Sequence, residues 1–199
     1  MRITKDIPYG SNGMHLDLYA PDQDGFDTLI WFHGGGFEAG SRRDAEPLAE
    51  SVTALGLGFA SVEYRMFPSA RFPDFLLDAA WSVAFLQKHG QDCGCGGRFV
   101  ISGQSAGAYI TMMLALNGAL LHNAGVDETS ILAYVSESSQ QTTHYNMLRQ
   151  RGIDSRAERI DEEAPLYYVG QRPLTKPLLL IYNAEDIPCR PEQNLLMYQ

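Results

Sequence analysis

The stretch FVISGQSAGAYITMMLALNG, residues 99–118, decides the fold and raises the question of function. Its first three residues, FVI, form an apolar and partly β-branched run that is typical of a buried strand. A serine between two glycines follows in GQSAG (103–107), and a long apolar segment typical of a buried helix begins at once. The pattern predicts a strand, a sharp turn and a helix, with Ser105 at the turn.

Apolar runs alternate with amphipathic segments along the rest of the chain. The pattern predicts strands at 16–20, 28–32, 58–64, 98–102, 131–136 and 177–184, and helices at 42–56 and 74–90. Such alternation predicts a mostly parallel, doubly wound sheet with helices on both faces, which is a three-layer α/β/α sandwich. No repeat or linker divides the sequence, so residues 1–199 are expected to form a single domain.

One polar, highly charged stretch interrupts this alternation at residues 138–172. It lies between two predicted strands, above the carboxyl edge of the sheet, where lids over binding sites are common. We therefore predict a small lid-like insertion, with its charges on a solvated face. His144 and Tyr145 are candidates to line a pocket, with a surface position favoured for His144.

The composition excludes several classes of protein. The 199 residues are 45% hydrophobic and 20% charged, which is ordinary for a globular domain with a sizeable core. A net charge of −9 argues against nucleic acid and anionic membranes as partners, because both favour a basic surface. The first residues, MRITKDIPYGSNG, lack the apolar core of a signal peptide, and no apolar run is long enough to span a membrane. A cytoplasmic location is therefore expected.

Neither a metal nor another cofactor is expected. Three cysteines are an odd number and do not form a disulfide framework. Cys93 and Cys95 lack the second pair of ligands that a structural zinc site needs, so residues 92–97 are predicted to be a loop with two free thiols. The phosphate-binding lysine of a P-loop and the GxGxxG spacing are both absent.

A glycine-rich segment, TLIWFHGGGFEAGS (28–41), follows a predicted buried strand. Successive glycines allow backbone N–H groups to turn inward, as an oxyanion hole requires. The candidate donors are the amides of Gly35, Gly36 and Ala106, the last of which begins the helix after the serine and gains from the helix dipole. His33 is expected to hold the loop rather than to act as a base.

Together these motifs resemble the α/β-hydrolase fold, and within it the carboxylesterases of the hormone-sensitive-lipase and feruloyl/acetylxylan-esterase-like group. The resemblance rests on HGGG (33–36), EYR (63–65) with Pro68 and FPD (72–74), GQSAG (103–107), EEAPLYYV (162–169) and PLLLIYNAEDIPCRPEQN (177–194). It extends from about residue 14 to Gln199. The resemblance implies Ser105 as the nucleophile and Asp186 as the triad acid. Glu63 and Arg65 are expected to form a structural ion pair.

The sequence departs from this family at the triad histidine. The family's order is nucleophile, acid and histidine, but the five histidines all precede Asp186; they are His15, His33, His89, His122 and His144. No triad histidine is therefore assigned. We expect a chain that is incomplete at its C-terminal end, without the last strand and helix of the fold, and ester hydrolysis near background. The apolar strand LLLIY (178–182) is then expected to be an exposed edge that favours self-association.

The resemblance implies a serine hydrolase that cleaves carboxylic esters of small or medium acyl groups through an acyl-enzyme. The expected partner is a small-molecule ester. Two alternatives stay open. One is an amide-cleaving relative of the arylformamidase or peptidase type, which shares the fold and the triad. The other is a non-catalytic member that binds a ligand in the same pocket.

Overall fold

The computed structural model describes all residues, Met1–Gln199, and contains one sheet of seven strands. The strands are β1 Arg2–Tyr9, β2 Met14–Ala20, β3 Phe26–Phe32, β4 Gly58–Val62, β5 Cys95–Gln104, β6 Ile131–Glu137 and β7 Leu178–Ile181. Their order in the sheet is β1-β2-β4-β3-β5-β6-β7. β1 pairs antiparallel with β2, and β2 with β4, whereas all other neighbours are parallel. The sheet is therefore mostly parallel, as predicted.

Helices cover both faces of the sheet. They are α1 Glu46–Ala54, α2 Asp74–His89, α3 Ala106–Leu116, α4 Gly118–Asn123, α5 Tyr145–Gln150 and α6 Arg190–Tyr198. A large apolar cluster of 32 buried residues joins the sheet to α2, α3 and α4. A cluster of five, Tyr19, Trp31, Ala45, Ala49 and Phe59, lies beneath α1. The sheet is thus the middle of three layers. None of the helices combines the length and the apolarity that spanning a lipid bilayer requires.

Several strands differ from their predicted bounds, and one strand, β1, is not predicted; β4 ends at Val62, and β7 is limited to Leu178–Ile181. β5 begins at Cys95, so the predicted loop at 92–97 is wrong in its second half, and Gly94, with φ of 90°, leads into the strand. Cys93 and Cys95 are free thiols. β1 is not predicted by the sequence pattern, because RITKDIPY is polar and all but two of its residues are exposed. At the opposite edge of the sheet, β7 exposes the apolar residues Leu179 (55%) and Ile181 (44%). Self-association through this edge stays a prediction.

The predicted ion pair between Glu63 and Arg65 is wrong. Glu63 instead contacts Arg42, which reaches it from the turn before α1. Arg65 contacts Asp78 of α2, a fully buried carboxylate, with distances of 2.8 Å from both Nε and Nη2 to its oxygens. A buried carboxylate must be paired and hydrogen-bonded. The burial of Asp78 therefore decides which partner Arg65 takes.

The carboxyl ends of the parallel strands meet at one edge of the sheet. The register places Phe32 beside Gly103, Gln104 beside Glu137, and Glu137 beside Ile181. The glycine-rich loop, the serine turn and the loop of the candidate acid follow the strands that end there. Open parallel sheets bind their ligands at this edge.

Candidate active site

Ser105 lies in the turn between β5 and α3, as predicted. Its φ of 53° and ψ of −110° form a backbone conformation that residues other than glycine seldom adopt. The amide of Ser105 donates to the carbonyl oxygen of Glu137 at 2.8 Å, and the amide of Tyr109 donates to the carbonyl oxygen of Ser105 at 2.9 Å. The Ser105 side chain does not cap the helix. The backbone is thus held on both sides while the hydroxyl is left for other contacts.

The glycines on either side of the serine allow a close approach of backbone segments. A methyl group on Gly107 would collide with the carbonyl oxygen of Phe32 and lie 2.7 Å from that of His33. A methyl group on Gly103 would lie 2.9 Å from the amide nitrogen of Ala108 and collide with the carbonyl of Gly107. The first turn of α3 therefore packs directly on the ends of β3 and β5.

The glycine-rich loop lies beside the serine. A methyl group on Gly34 would be 3.4 Å from Cβ of Ser105, so the two segments are in contact. Gly35 and Gly36 have φ values of 111° and 64°, which favour glycine. Their amides donate to no acceptor within the protein. The convergence of these two amides with that of Ala106 on one oxyanion stays a prediction.

His33 is a structural part of this loop, in agreement with the sequence-based expectation. It is 1% exposed, and its Nδ1 lies 2.7 Å from the carbonyl oxygen of Gly34. The ring stacks on Tyr64 with a centroid distance of 4.4 Å, and the Tyr64 hydroxyl donates to the His33 carbonyl at 2.7 Å. Burial lowers the pKa of His33 below its ordinary value. The neutral ring therefore holds the loop.

His144 is buried, so the prediction that it lies at the surface is wrong. It is 1% exposed, and its ring packs against Phe37 at 4.7 Å and Tyr145 at 4.3 Å between centroids. Its Nδ1 accepts a hydrogen bond from the amide of Asn146 at 3.3 Å, at the start of α5. Burial, followed by the charges of two arginines, lowers the pKa of His144 to about 3.

The polar residues around His144 belong to the interior. Residues 139–148 are all buried apart from Tyr145, which is half-buried. The backbone N–H of Gln141 donates to Oε1 of Gln193 at 2.8 Å, and Nδ2 of Asn194 donates to the carbonyl oxygen of Ser139 at 2.8 Å. Polar groups of the insertion and α6 thus pair with one another, although Oε1 of Gln141 has no hydrogen-bond partner. The predicted solvated face is limited to the charged residues that follow, and a lid function stays a prediction.

We expect acid to destabilise the protein through His144. Its pKa of about 3 in the folded chain lies below the ordinary 6.5, so between these values the unfolded chain binds more protons. Stability that is present above pH 6.5 is therefore lost as the pH falls. Between pH 7.5 and 5.5, the free energy of unfolding should fall by about 1 kcal/mol less in His144→Asn than in the unmodified chain.

Urea denaturation at both pH values measures this difference. His122→Asn, which replaces an exposed histidine, is the matched control and should keep the pH dependence of the unmodified chain. The same pH dependence in all three proteins would contradict the prediction.

Asp186 lies in the loop between β7 and α6, at the same edge of the sheet as Ser105. Its Oδ1 accepts a hydrogen bond from the amide of Ile187 at 2.7 Å, whereas its Oδ2 is buried and has no hydrogen-bond partner. The neighbouring Glu185 is exposed, so it is the poorer candidate for the acid. Only β6 separates β5 from β7, which places these strands about 10 Å apart.

No histidine hydrogen-bonds the side chain of Ser105 or Asp186. Besides His33 and His144, the others lie in β2, at the end of α2 and in α4. The structure therefore brings Ser105 and the glycine loop together and brings Asp186 to the same edge. Of the histidines, His33 lines the cleft of Ser105 without a hydrogen bond to it.

Two cavities adjoin these residues. Ser105 lines a cleft of about 450 Å³ together with Gly34 and Gly35. A second cavity, of about 510 Å³, lies between the insertion and the loop of Asp186 and is lined by Tyr145 and Arg190 among others. Sequence reasoning assigned no function to Arg190, because nothing in its local pattern indicates that it is buried.

The sequence model of the BD-FAE family matches residues 16–148. The "Probable carboxylic ester hydrolase LipM" of Mycobacterium tuberculosis is 33% identical over 119 residues, which are 56% of this chain and 28% of LipM. Human hormone-sensitive lipase is 34% identical over 93 residues, which are 46% of this chain and 9% of the lipase. The match thus spans less than a third of either relative.

The fold has counterparts among solved structures. The hyperthermophilic esterase of the archaeon Pyrobaculum calidifontis superimposes with a TM-score of 0.77 at 20% identity, covering 99% of this chain and 71% of the esterase. This likeness extends over the complete sheet, whereas the family match runs from β2 into α5. Since that match covers about two thirds of the residues, the chain belongs to the BD-FAE family and has the α/β-hydrolase fold.

Proposed function

We propose that this chain carries the nucleophile, the oxyanion hole and the acid of a serine carboxylesterase. The observation that carries the proposal is the strained turn at Ser105, with φ of 53°, in contact with the glycine-rich loop at Gly34. Backbone strain of this kind persists only where the surrounding structure enforces it, and it concentrates at reactive residues. The similarity to proteins named as an ester hydrolase and a lipase supports the same chemistry.

Ser105 is the proposed nucleophile. Its Oγ attacks the ester carbonyl carbon as its proton passes to a base, and the carbonyl oxygen becomes a tetrahedral oxyanion. The amides of Gly35, Gly36 and Ala106 are the proposed donors to that oxyanion; each such donor is typically worth about 10²–10³ in kcat. Collapse expels the alcohol and leaves an acyl group on Ser105, which water then releases as the acid. Small or medium acyl groups are the proposed substrates.

Asp186 is the proposed acid of the triad. Its role is to orient a basic imidazole and to stabilise the cation that forms when the imidazole takes the serine proton. An unpartnered, buried Oδ2 suits that role, because it can accept the N–H of an imidazole ring. No histidine of this chain hydrogen-bonds Ser105 or Asp186, and without a base a triad enzyme typically retains about 10³–10⁴-fold acceleration over water. We therefore expect slow ester turnover by residues 1–199.

Covalent labelling tests the nucleophile. The protein is incubated with a fluorophosphonate in imidazole buffer, digested and examined by peptide mass spectrometry. We expect the label on the peptide that contains Ser105, because the serine lies in the strained turn that contacts the glycine loop at Gly34. Ser105→Ala should lose the label, and Ser69→Ala, at an exposed serine, should keep it. Equal labelling of the Ser105→Ala variant would overturn the assignment, and no labelling at all would favour a non-catalytic binding protein.

A further inference from the structure

We propose that the substrate of this site carries a carboxylate, bound by the guanidinium of Arg190 and the hydroxyl of Tyr145 in the cavity beside Asp186. The proposal names a substrate class for the proposed ester hydrolysis. Hydrolysis of such a substrate rests on that proposed function, whereas binding of its carboxylate does not. Monoesters of dicarboxylic acids and O-acyl derivatives of hydroxy acids keep a free carboxylate and belong to this class.

Arg190 is buried without the partners that a buried charge ordinarily has. It is 4% exposed, and its guanidinium makes one hydrogen bond, from Nη1 to the carbonyl oxygen of Ser138 at 2.8 Å. A guanidinium has five N–H donors, and those not directed to Ser138 are without acceptors in the protein. Burial lowers the pKa of Arg190, and the carboxylates of Asp186 and Glu158 oppose this effect only in part.

Arg42, the other buried arginine, has carboxylate partners that compensate for the burial of its charge. It is 6% exposed, and it contacts the carboxylates of Asp6, Asp17 and Glu63. Burial opposes its charge as well, but these hydrogen bonds and charges raise the pKa of Arg42 above its ordinary value. A buried charge without such partners is costly. Arg190 therefore has the properties of a binding residue whose acceptor comes with a ligand.

Tyr145 connects this cavity to the glycine-rich loop. Its hydroxyl lies so close to Gly36 that a methyl group there would collide with it and lie 3.0 Å from Cζ. The hydroxyl makes no hydrogen bond within the protein, and the same side chain lines the cavity with Arg190. The cavity of Arg190 and the cleft of Ser105 share no lining residue. The contact between Tyr145 and Gly36 is the link between them, and the proposed ligand runs along it.

The size and the charge of the cavity favour a small monoanion. Its volume of about 510 Å³ is within the range of small-molecule sites. Arg156 also lines the cavity, but it pairs with Asp154 at 2.8 Å. The carboxylates of Asp186 and Glu158 act on Arg190 from nearby and disfavour a dianion such as a phosphate. A carboxylate is planar and fits the parallel N–H groups of a guanidinium, which makes it the better match.

A purely structural role for Arg190 is the competing explanation. Its bond to Ser138 connects the end of β6 to the start of α6. In that case, replacing Arg190 would lower stability without any dependence on the charge of a ligand. The two explanations therefore differ in how affinity changes with ligand charge.

Isothermal titration calorimetry tests the proposal on the 199-residue chain carrying Ser105→Ala, which leaves the ester intact. Monomethyl adipate is the charged probe, and methyl hexanoate is its uncharged counterpart. We expect the charged probe to bind at least about tenfold more tightly, and Arg190→Met to remove this preference while the affinity for methyl hexanoate is kept. Tyr145→Phe should weaken the charged probe severalfold. Arg98→Met, at an exposed arginine that pairs with Asp27, should change neither affinity.

Equal affinity for the two probes, equal weakening of both by Arg190→Met, or no binding of either would overturn the proposal. Should Arg190→Met fail to fold, Arg190→Lys decides: it keeps the charge but has fewer donors, and the preference should fall without vanishing. Carboxylate binding without labelling of Ser105 would reject the hydrolase function and keep this site. Labelling of Ser105 without a preference for the charged probe would keep the hydrolase function and reject the carboxylate site.

Discussion

Imidazole added to the buffer is expected to accelerate the hydrolysis of p-nitrophenyl acetate by residues 1–199 by about 10²-fold, beyond the effect of imidazole in solution alone. No histidine of the chain hydrogen-bonds the side chain of Ser105 or Asp186, and His33, which lines the cleft of Ser105, directs its Nδ1 to the carbonyl oxygen of Gly34, so the serine has no hydrogen-bonded base. An imidazole bound between the two side chains supplies one, and Asp186 stabilises the cation that it becomes. The measurement is the initial rate of p-nitrophenolate release as a function of imidazole concentration.

Matched variants separate this effect from chemistry in solution. The imidazole-dependent rate should vanish in Ser105→Ala and fall at least about tenfold in Asp186→Asn, because the imidazolium then loses its partner. Glu185→Gln, at the exposed neighbour, should leave the rate unchanged. Fast hydrolysis without imidazole would contradict the prediction and assign the base to one of the five histidines of the chain.

The Gly107→Ala variant is expected to lose about 4 kcal/mol or more of its free energy of unfolding. The added methyl group would collide with the carbonyl oxygen of Phe32 and lie 2.7 Å from that of His33. Both atoms belong to the backbone at the end of β3, which cannot move aside without breaking the packing of α3 on the sheet. Domains of ordinary stability have free energies of unfolding of about 5–15 kcal/mol, so this loss should remove a large part of the stability and lower the urea midpoint strongly.

Gly125→Ala is the matched control. Gly125 has φ of 77°, and a methyl group there meets nothing within 4 Å. Its replacement should therefore cost only the strain of the left-handed backbone, about 1–2 kcal/mol. Urea denaturation followed by circular dichroism measures both variants. Similar losses in the two would show that the contact between α3 and the end of β3 is not as close as described.

The strand–turn–helix at Ser105 and the three-layer architecture could both be predicted from the sequence. Hydrophobic periodicity and glycine positions are properties of short segments, and a parallel sheet follows from the order of those segments. The placement of the glycine-rich loop beside the serine follows in the same way, because adjacent parallel strands end at one edge. β1 could not be predicted in this way, because its polar, exposed residues give no apolar periodicity.

The tertiary structure alone decided which charges pair and which polar residues are buried. Arg65 takes Asp78 because the packing of α2 buries that carboxylate, and His144 lies in the core because α6 covers the polar segment around it. In the same way, Tyr145 and Arg190, which are 45 residues apart, line one cavity. The sequence by itself determined the fold and the turn of the candidate nucleophile, since those depend on local periodicity. Burial and charge pairing depend on which distant segments meet, and only the folded chain determines that.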